Sequence, residues 1–174
     1  MELKEVLRIV GQVLGFVSPA IAVISYQMRS QKKLLFWQII NSVIMCLHYF
    51  MIGAVSGAAL NSISVVRNTV FFRRKLKGNM GKAIPLIFTG ITIVVGIITW
   101  EAWYTIFYFL GMVIHCFCLS FSNSQSVRKS MLVTCPLVLV YDVFERSYGT
   151  IVYEVLAIGS SIVGIIRHRN KNTE

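Results

Sequence analysis

The sequence predicts an all-α membrane protein of seven transmembrane helices, arranged as two parallel three-helix repeats joined by a linker helix (3+1+3). Three observations carry that expectation. The 174 residues are 56% hydrophobic with a mean hydropathy of +0.70, and only 14% are charged, against roughly 25% in ordinary soluble domains. The apolar residues come in runs close to the length of a bilayer span, about 17–25 residues. The chain also echoes itself. The segment LGFVSPAIAVISYQMRSQKK, Leu14 to Lys33, returns 96 positions later as LGMVIHCFCLSFSNSQSVRK, Leu110 to Lys129. Likewise LHYFMIGAVSGAALN, Leu47 to Asn61, returns 93 positions later as VYDVFERSYGTIVYE, Val140 to Glu154, and the same offset pairs Arg74 with Arg167. Parallel copies of a three-segment unit, with one segment between them, form an architecture of transporters rather than of enzymes.

The spans are expected at about 7–26, 33–52, 55–72, 83–100, 103–122, 130–146 and 149–166. Strands are excluded because the apolar runs neither alternate with period two nor come in pieces of roughly ten residues. Helices bond every backbone group within the segment, as hydrocarbon demands. In span 1, Gly11 and Gly15 form a GxxxG pattern suited to close helix contact, and Pro19 marks a candidate hinge. Gly53 and Gly57 separate spans 2 and 3; Ser147 and Gly149 separate spans 6 and 7. Span 4 is the linker helix, because a parallel copy of an odd-numbered unit needs one extra crossing. Before span 5, TWEAWYT sets Trp100, Trp103 and Tyr104 at an interface, as an aromatic belt does. All of residues 1–174 then form a single transmembrane domain, with repeat one at about 7–74, the linker at about 83–100 and repeat two at about 103–167.

The net charge of +10 is explained by topology. One side of a seven-span protein would hold Arg29, Lys32 and Lys33, then Arg73, Arg74, Lys75, Lys77 and Lys82, then Arg128 and Lys129, and in the tail Arg167, Arg169 and Lys171. The other side has Lys4, Arg8 and Arg146. By the positive-inside rule the N-terminus faces outward and the C-terminus the cytoplasm. The basic run RRKLKGNMGK suits anionic lipid, and nucleic acid is not an expected partner. Arg67, inside span 3, is expected to snorkel to the cytoplasmic side.

Lys4, Arg8, an apolar stretch and Ala20-Ile21-Ala22 imitate a secretory signal. Acidic Glu2 and Glu5, and an apolar run that continues past the supposed cleavage site, argue for a retained helix. Cys46, Cys116, Cys118 and Cys135 lie in apolar spans, and residues two apart on a helix point to nearly opposite faces. Buried thiols are expected, with no disulfide framework and no zinc site.

No HExxH, GxSxG or GxxxxGK[ST] pattern occurs, so neither an enzyme, a cofactor nor a metal is expected. Asp142, Glu145, Glu154 and His115 form no catalytic set. The informative residues are polar ones inside spans, where each is costly and usually faces a cavity or a partner. His48 and Asn61 lie equally far from the turn between spans 2 and 3, on the order of 10 Å below the surface at 1.5 Å per residue. Tyr141 and Glu154 hold the matching places in the second hairpin, with Asp142 adjacent. Asn61, Ser64 and Asn68 share one helical face, and Glu154, Ala157 and Ser161 repeat that face in span 7. Asn61, Glu154, His48, Tyr141 and Asp142 are therefore the candidate substrate-binding residues. His115 is a weaker relay candidate, and Asn41 a polar group for the inner half. The competing reading is that these side chains only tie neighbouring helices together.

The stretch SYQMRSQKKLLFWQIINSVIMCLHYFMIGAVSGAALNSISVVRN resembles the core of the YgjV-type bacterial inner-membrane proteins, a likeness that covers essentially the whole chain. The 3+1+3 plan is similar to SWEET sugar transporters and the PQ-loop group. Ser25-Tyr26-Gln27 sits where PQ-loop proteins place Pro-Gln, with Tyr26 in place of the proline; Pro19 lies earlier, and its repeat partner is His115. The resemblance implies that the third helix of each unit presents a substrate residue. Asn61 matches in kind, whereas acidic Glu154 implies a cation, an amine or a coupled proton. The resulting expectation is a SWEET-like inner-membrane transporter or facilitator of a small polar solute, with lipid as its surroundings and room for a homo-oligomer. The alternative is a non-transporting membrane protein with an assembly or sensory role. A water-accessible cavity at Asn61 and Glu154 favours the first, a dry interior the second.

Overall fold

The computed structural model describes residues 3–76, 83–119 and 124–167, and among them every regular element is a helix. The first span is not one rod. It consists of α1 (Leu3–Gly15) and α2 (Ser18–Gln27), interrupted at Phe16 and Val17. Pro19 explains the position, since it has no N–H to give the Gly15 carbonyl and its ring crowds that group. The chain tightens there, with Val17 N–H on the Leu14 carbonyl at 3.1 Å.

The following helices are α3 (Gln31–Ile52), α4 (Val55–Leu76), α5 (Ala83–Ile98), α6 (Thr105–Leu119), α7 (Ser124–Phe144) and α8 (Tyr148–Arg167). Three stretches are long and apolar enough to cross a membrane by themselves: Lys4–Gln27, Lys32–Ile52 and Tyr148–Arg167. Of the seven expected spans, these three are clearly apolar, and the others are shorter or more polar. The α5 and α6 helices are apolar but have 16 and 15 residues, about 24 and 22 Å at 1.5 Å per residue. The α4 and α7 helices are long enough but carry interior polar and charged side chains. Also, α7 starts six residues before the expected 130, so Arg128 and Lys129 lie in a helix instead of a loop. Lys77, Lys82, Arg169 and Lys171 of the proposed basic side lie outside the described residues.

Packing follows a ring. The α1 and α2 pair abuts α3, α3 abuts α4, α6 abuts α7, α7 abuts α8, and α8 closes the ring on α2. Outside it, α5 bridges α4 and α6, burying only Pro85, Thr92 and Gly96 and leaving Leu86, Ile87, Val94, Ile97 and Ile98 exposed. An outer face of that composition suits lipid.

The two hairpin turns share two hydrogen bonds at the offset of 93, while a bond from Gly53 N–H to the Tyr49 carbonyl at 3.1 Å belongs to the first turn alone. At the end of α3, Gly53 N–H reaches the Phe50 carbonyl at 3.3 Å, and Ala54 N–H reaches that of Tyr49 at 3.0 Å. At the end of α7, Arg146 N–H reaches the Val143 carbonyl at 3.2 Å, and Ser147 N–H reaches that of Asp142 at 2.9 Å. Gly53 (φ +88°) and Arg146 (φ +54°) both adopt the left-handed conformation of a helix-ending turn. The helices that follow are capped from elsewhere. Glu101 accepts from Val55 N at 3.2 Å and Ser56 N at 2.8 Å, a carboxylate on a helix N-terminus. Gln12 of α1 serves the other turn, accepting from Tyr148 N at 3.1 Å and donating to the Arg146 carbonyl at 2.8 Å.

Candidate functional site

Where the ring converges, tyrosines from five helices meet. Tyr26, Tyr49, Tyr108, Tyr141 and Tyr153 belong to one buried cluster, with the Tyr108 and Tyr141 rings 4.6 Å apart. Each hydroxyl must find a partner when buried. Tyr49 donates to Asp142 Oδ1 at 2.6 Å, a bond between two residues 93 positions apart. Tyr141 accepts from Gly57 N at 3.2 Å. The hydroxyls of Tyr26 and Tyr153 lie 3.3 Å from one another.

Beside this cluster is a cavity of about 80 Å³, room for two or three waters at roughly 30 Å³ each. The α3 wall presents Gln38, Asn41 and Ser42, and the α4 wall Asn61, Ser64, Arg67 and Asn68. The opposite half contributes Tyr108, His115, Thr134 and Glu154. The stripe of Asn61, Ser64 and Asn68 thus faces the cavity whole. Three buried wall atoms have no hydrogen-bond partner: Gln38 Oε1, Asn41 Oδ1 and His115 Nδ1. A buried polar atom left unsatisfied costs about 1–3 kcal/mol, so three around one space mark a place for water or a polar solute.

Of the five expected site residues, Asn61 and Glu154 are brought together on this cavity, and the other three are not among its walls. Asn61 Nδ2 donates to the Tyr108 hydroxyl at 2.5 Å and to the Gly57 carbonyl at 2.9 Å. The Cys135 thiol is in hydrogen-bonding range of Glu154. His48 has both ring nitrogens engaged, Nδ1 with the Gly11 carbonyl at 2.7 Å and Nε2 with Ser147 Oγ at 2.6 Å. It locks α1, α3 and the α7–α8 turn together. Asp142 holds Tyr49, and Tyr141 supports the start of α4. Pro19 is buried at the α1–α2 break, and Gly149 packs directly on the backbone there; a Cβ would fall 2.5 Å from the Gly15 carbonyl carbon.

Two arginines depart from expectation. Arg67 does not snorkel: it is 1% exposed and lines the cavity, with Nε on Asn68 Oδ1 at 3.2 Å. Its place was signalled by Ser64, three residues earlier on the same face. Arg128 is also 1% exposed. It donates from Nε to the Tyr26 carbonyl at 2.8 Å and from Nη2 to that of Met28 at 2.6 Å, which makes it a cationic cap on the C-terminus of α2. The cysteines are free, with Cys116 and Cys135 buried and Cys46 and Cys118 half-buried. Among the described residues no three His, Cys, Asp or Glu side chains gather as a metal site.

A family model described as bacterial inner membrane protein, Imp-YgjV, matches residues 9–172. The chain belongs to that family. The curated proteins and the solved structures give no match.

Proposed function

We propose that this member of a bacterial inner-membrane family is a facilitator of a small polar solute, working by alternating access between two three-helix units. In this reading α1–α2, α3 and α4 form one unit, α6, α7 and α8 the other, and α5 is the linker. The hydrogen-bond agreement of the two hairpin turns supports that pairing, as does the shared neighbour order within each unit. The bundle crosses the membrane seven times with its N-terminus outside. In the short helices, flanking residues and the packed ring make up the missing length.

The observation that carries the proposal is the central cavity with its three unpartnered polar atoms beside Asn61 and Glu154. Helix ties need no such space, because a tie is complete once its two groups meet. Glu154 is the group that exchanges a proton or holds a cation as the cavity opens to either side. The break at Pro19, packed on Gly149 at the joint between the units, supplies the place where one unit rocks on the other.

The experiment is flux of labelled small solutes into proteoliposomes, with thermal stability measured in parallel. Glu154→Gln keeps shape and loses charge; it is expected to fold normally and to abolish or uncouple flux. Asn61→Ala is expected to weaken solute binding with little loss of stability. Unchanged flux in Glu154→Gln, with Glu154→Leu lowering only the melting temperature, identifies a helix tie and an assembly or sensory role instead. Orientation is checked by single-cysteine labelling in intact cells; a cysteine at position 78 labelled from outside would reverse it.

A further inference from the structure

The solute class follows from two charges that share the cavity. Arg67 and Glu154 both line it, 1% and 6% exposed. The partners of Arg67 among the described residues are Asn68 Oδ1 and the Cys116 thiol group, neither of them a carboxylate. A guanidinium has five N–H donors, so these two partners do not exhaust it. Glu154 has the Cys135 thiol beside it and no basic partner among the described residues. A buried charge without an opposite charge is costly, more so within a membrane. One cavity therefore holds one guanidinium and one carboxyl group, with no ion pair to either among the described residues.

Resting on the facilitator reading above, we infer that the cavity takes a small zwitterion, an amino acid in chemical class, with its carboxylate on Arg67 and its ammonium on Glu154. A neutral sugar or polyol forms an ion pair with neither group, and a simple amine or carboxylate with one. Only a solute with both signs pairs each. The guanidinium fork matches a carboxylate in two parallel bonds, while the amides of Gln38 and Asn41 and the His115 ring offer the remaining polar contacts. Arg67 is twelve residues into α4 from Val55, and Glu154 six into α8 from Tyr148.

The test uses the purified full chain in lipid nanodiscs, with binding read by calorimetry for glycine, L-alanine, γ-aminobutyrate, acetate, ethylamine and glucose. The zwitterions are expected to bind best, and comparing glycine with γ-aminobutyrate measures the charge spacing. Arg67→Gln is expected to weaken zwitterions and acetate at least tenfold and to spare ethylamine. Glu154→Gln is expected to weaken zwitterions and ethylamine at least tenfold and to spare acetate. If Arg67→Gln does not fold, Arg67→Lys is read in its place, since it keeps the charge but loses the fork. Zwitterion affinity unchanged by both substitutions overturns the assignment. Glucose as the one ligand bound overturns it too, yet leaves the facilitator standing. Binding of no probe, together with no flux of any solute class into proteoliposomes, removes both.

Discussion

The α3–α4 hairpin and the α7–α8 hairpin turn in similar ways and differ in chemistry. Their turns share two hydrogen bonds and place a left-handed residue, Gly53 and Arg146, at the same point. Along the helices that follow, the first hairpin turns Asn61, Ser64, Arg67 and Asn68 to the cavity, while α8 contributes Glu154 and Tyr153. The partner of Ser64 is Ala157 and that of Asn68 is Ser161, both fully buried away from the cavity. Backbone turns tolerate few alternatives because buried N–H and C=O groups must pair. Cavity walls tolerate many. The cavity thus has one wall of amides, hydroxyls and a guanidinium and an opposite wall that carries a carboxyl group.

The same inequality appears at the ends of the units, where the largest effect is expected. Arg128 caps α2 from inside the ring, while its counterpart at the offset of 96, Lys32, is exposed. Arg128→Leu should lower stability by about 3 kcal/mol, the scale of two hydrogen bonds from a charged donor. Lys32→Leu should change it by less than about 0.5 kcal/mol, as for ordinary surface positions. Denaturant unfolding in detergent reads both, and equal losses would mean that the two ends are equivalent after all.

A smaller effect is expected where the halves touch. Tyr49 and Asp142 occupy equivalent positions and bond each other, so a double-mutant cycle of Tyr49→Phe and Asp142→Ala measures the contact between units. A coupling of roughly 0.6–1.7 kcal/mol is expected, the range of hydrogen bonds between membrane helices. Zero coupling would show that the bond does not join the halves in solution.

The smallest effects, and opposite in sign, belong to the turns. Gly53→Ala meets no steric obstacle, since a Cβ there has nothing within 4 Å. Its cost is conformational alone, about 1 kcal/mol for an L-residue at positive φ. Arg146→Gly removes that same strain and should raise stability, by less than about 0.5 kcal/mol once glycine's greater chain entropy is counted. Melting temperatures that move in the same direction would break the equivalence of the turns.

Much of this arrangement was legible in the chain. Pro19 located the break in the first span, because a missing N–H acts on its own helix wherever the helix sits. The spacing of Asn61, Ser64 and Asn68 identified one polar face, which does line the cavity. Arg67 was misplaced because a long side chain near a helix end can reach water or turn inward, and only its neighbours choose. His48 is a site candidate by sequence because it lies as deep in its span as Asn61, and depth does not reveal which groups stand opposite. Its partners, Gly11 and Ser147, are 37 and 99 residues away.

What the sequence by itself determined is the helical membrane class, the family, the places where the chain must turn, and the face on which each helix carries its polar residues. These are local consequences of hydropathy, glycine, proline and the 3.6-residue period. Only the tertiary structure decided which polar groups are consumed by one another and which remain free: His48, Arg128 and one oxygen of Asp142 are spent on holding helices, whereas Gln38, Asn41, His115, Arg67 and Glu154 surround a space. The physical reason is that a hydrogen bond forms within a few tenths of an ångström, and that separation is set by which helix stands opposite, a relation that no local pattern contains.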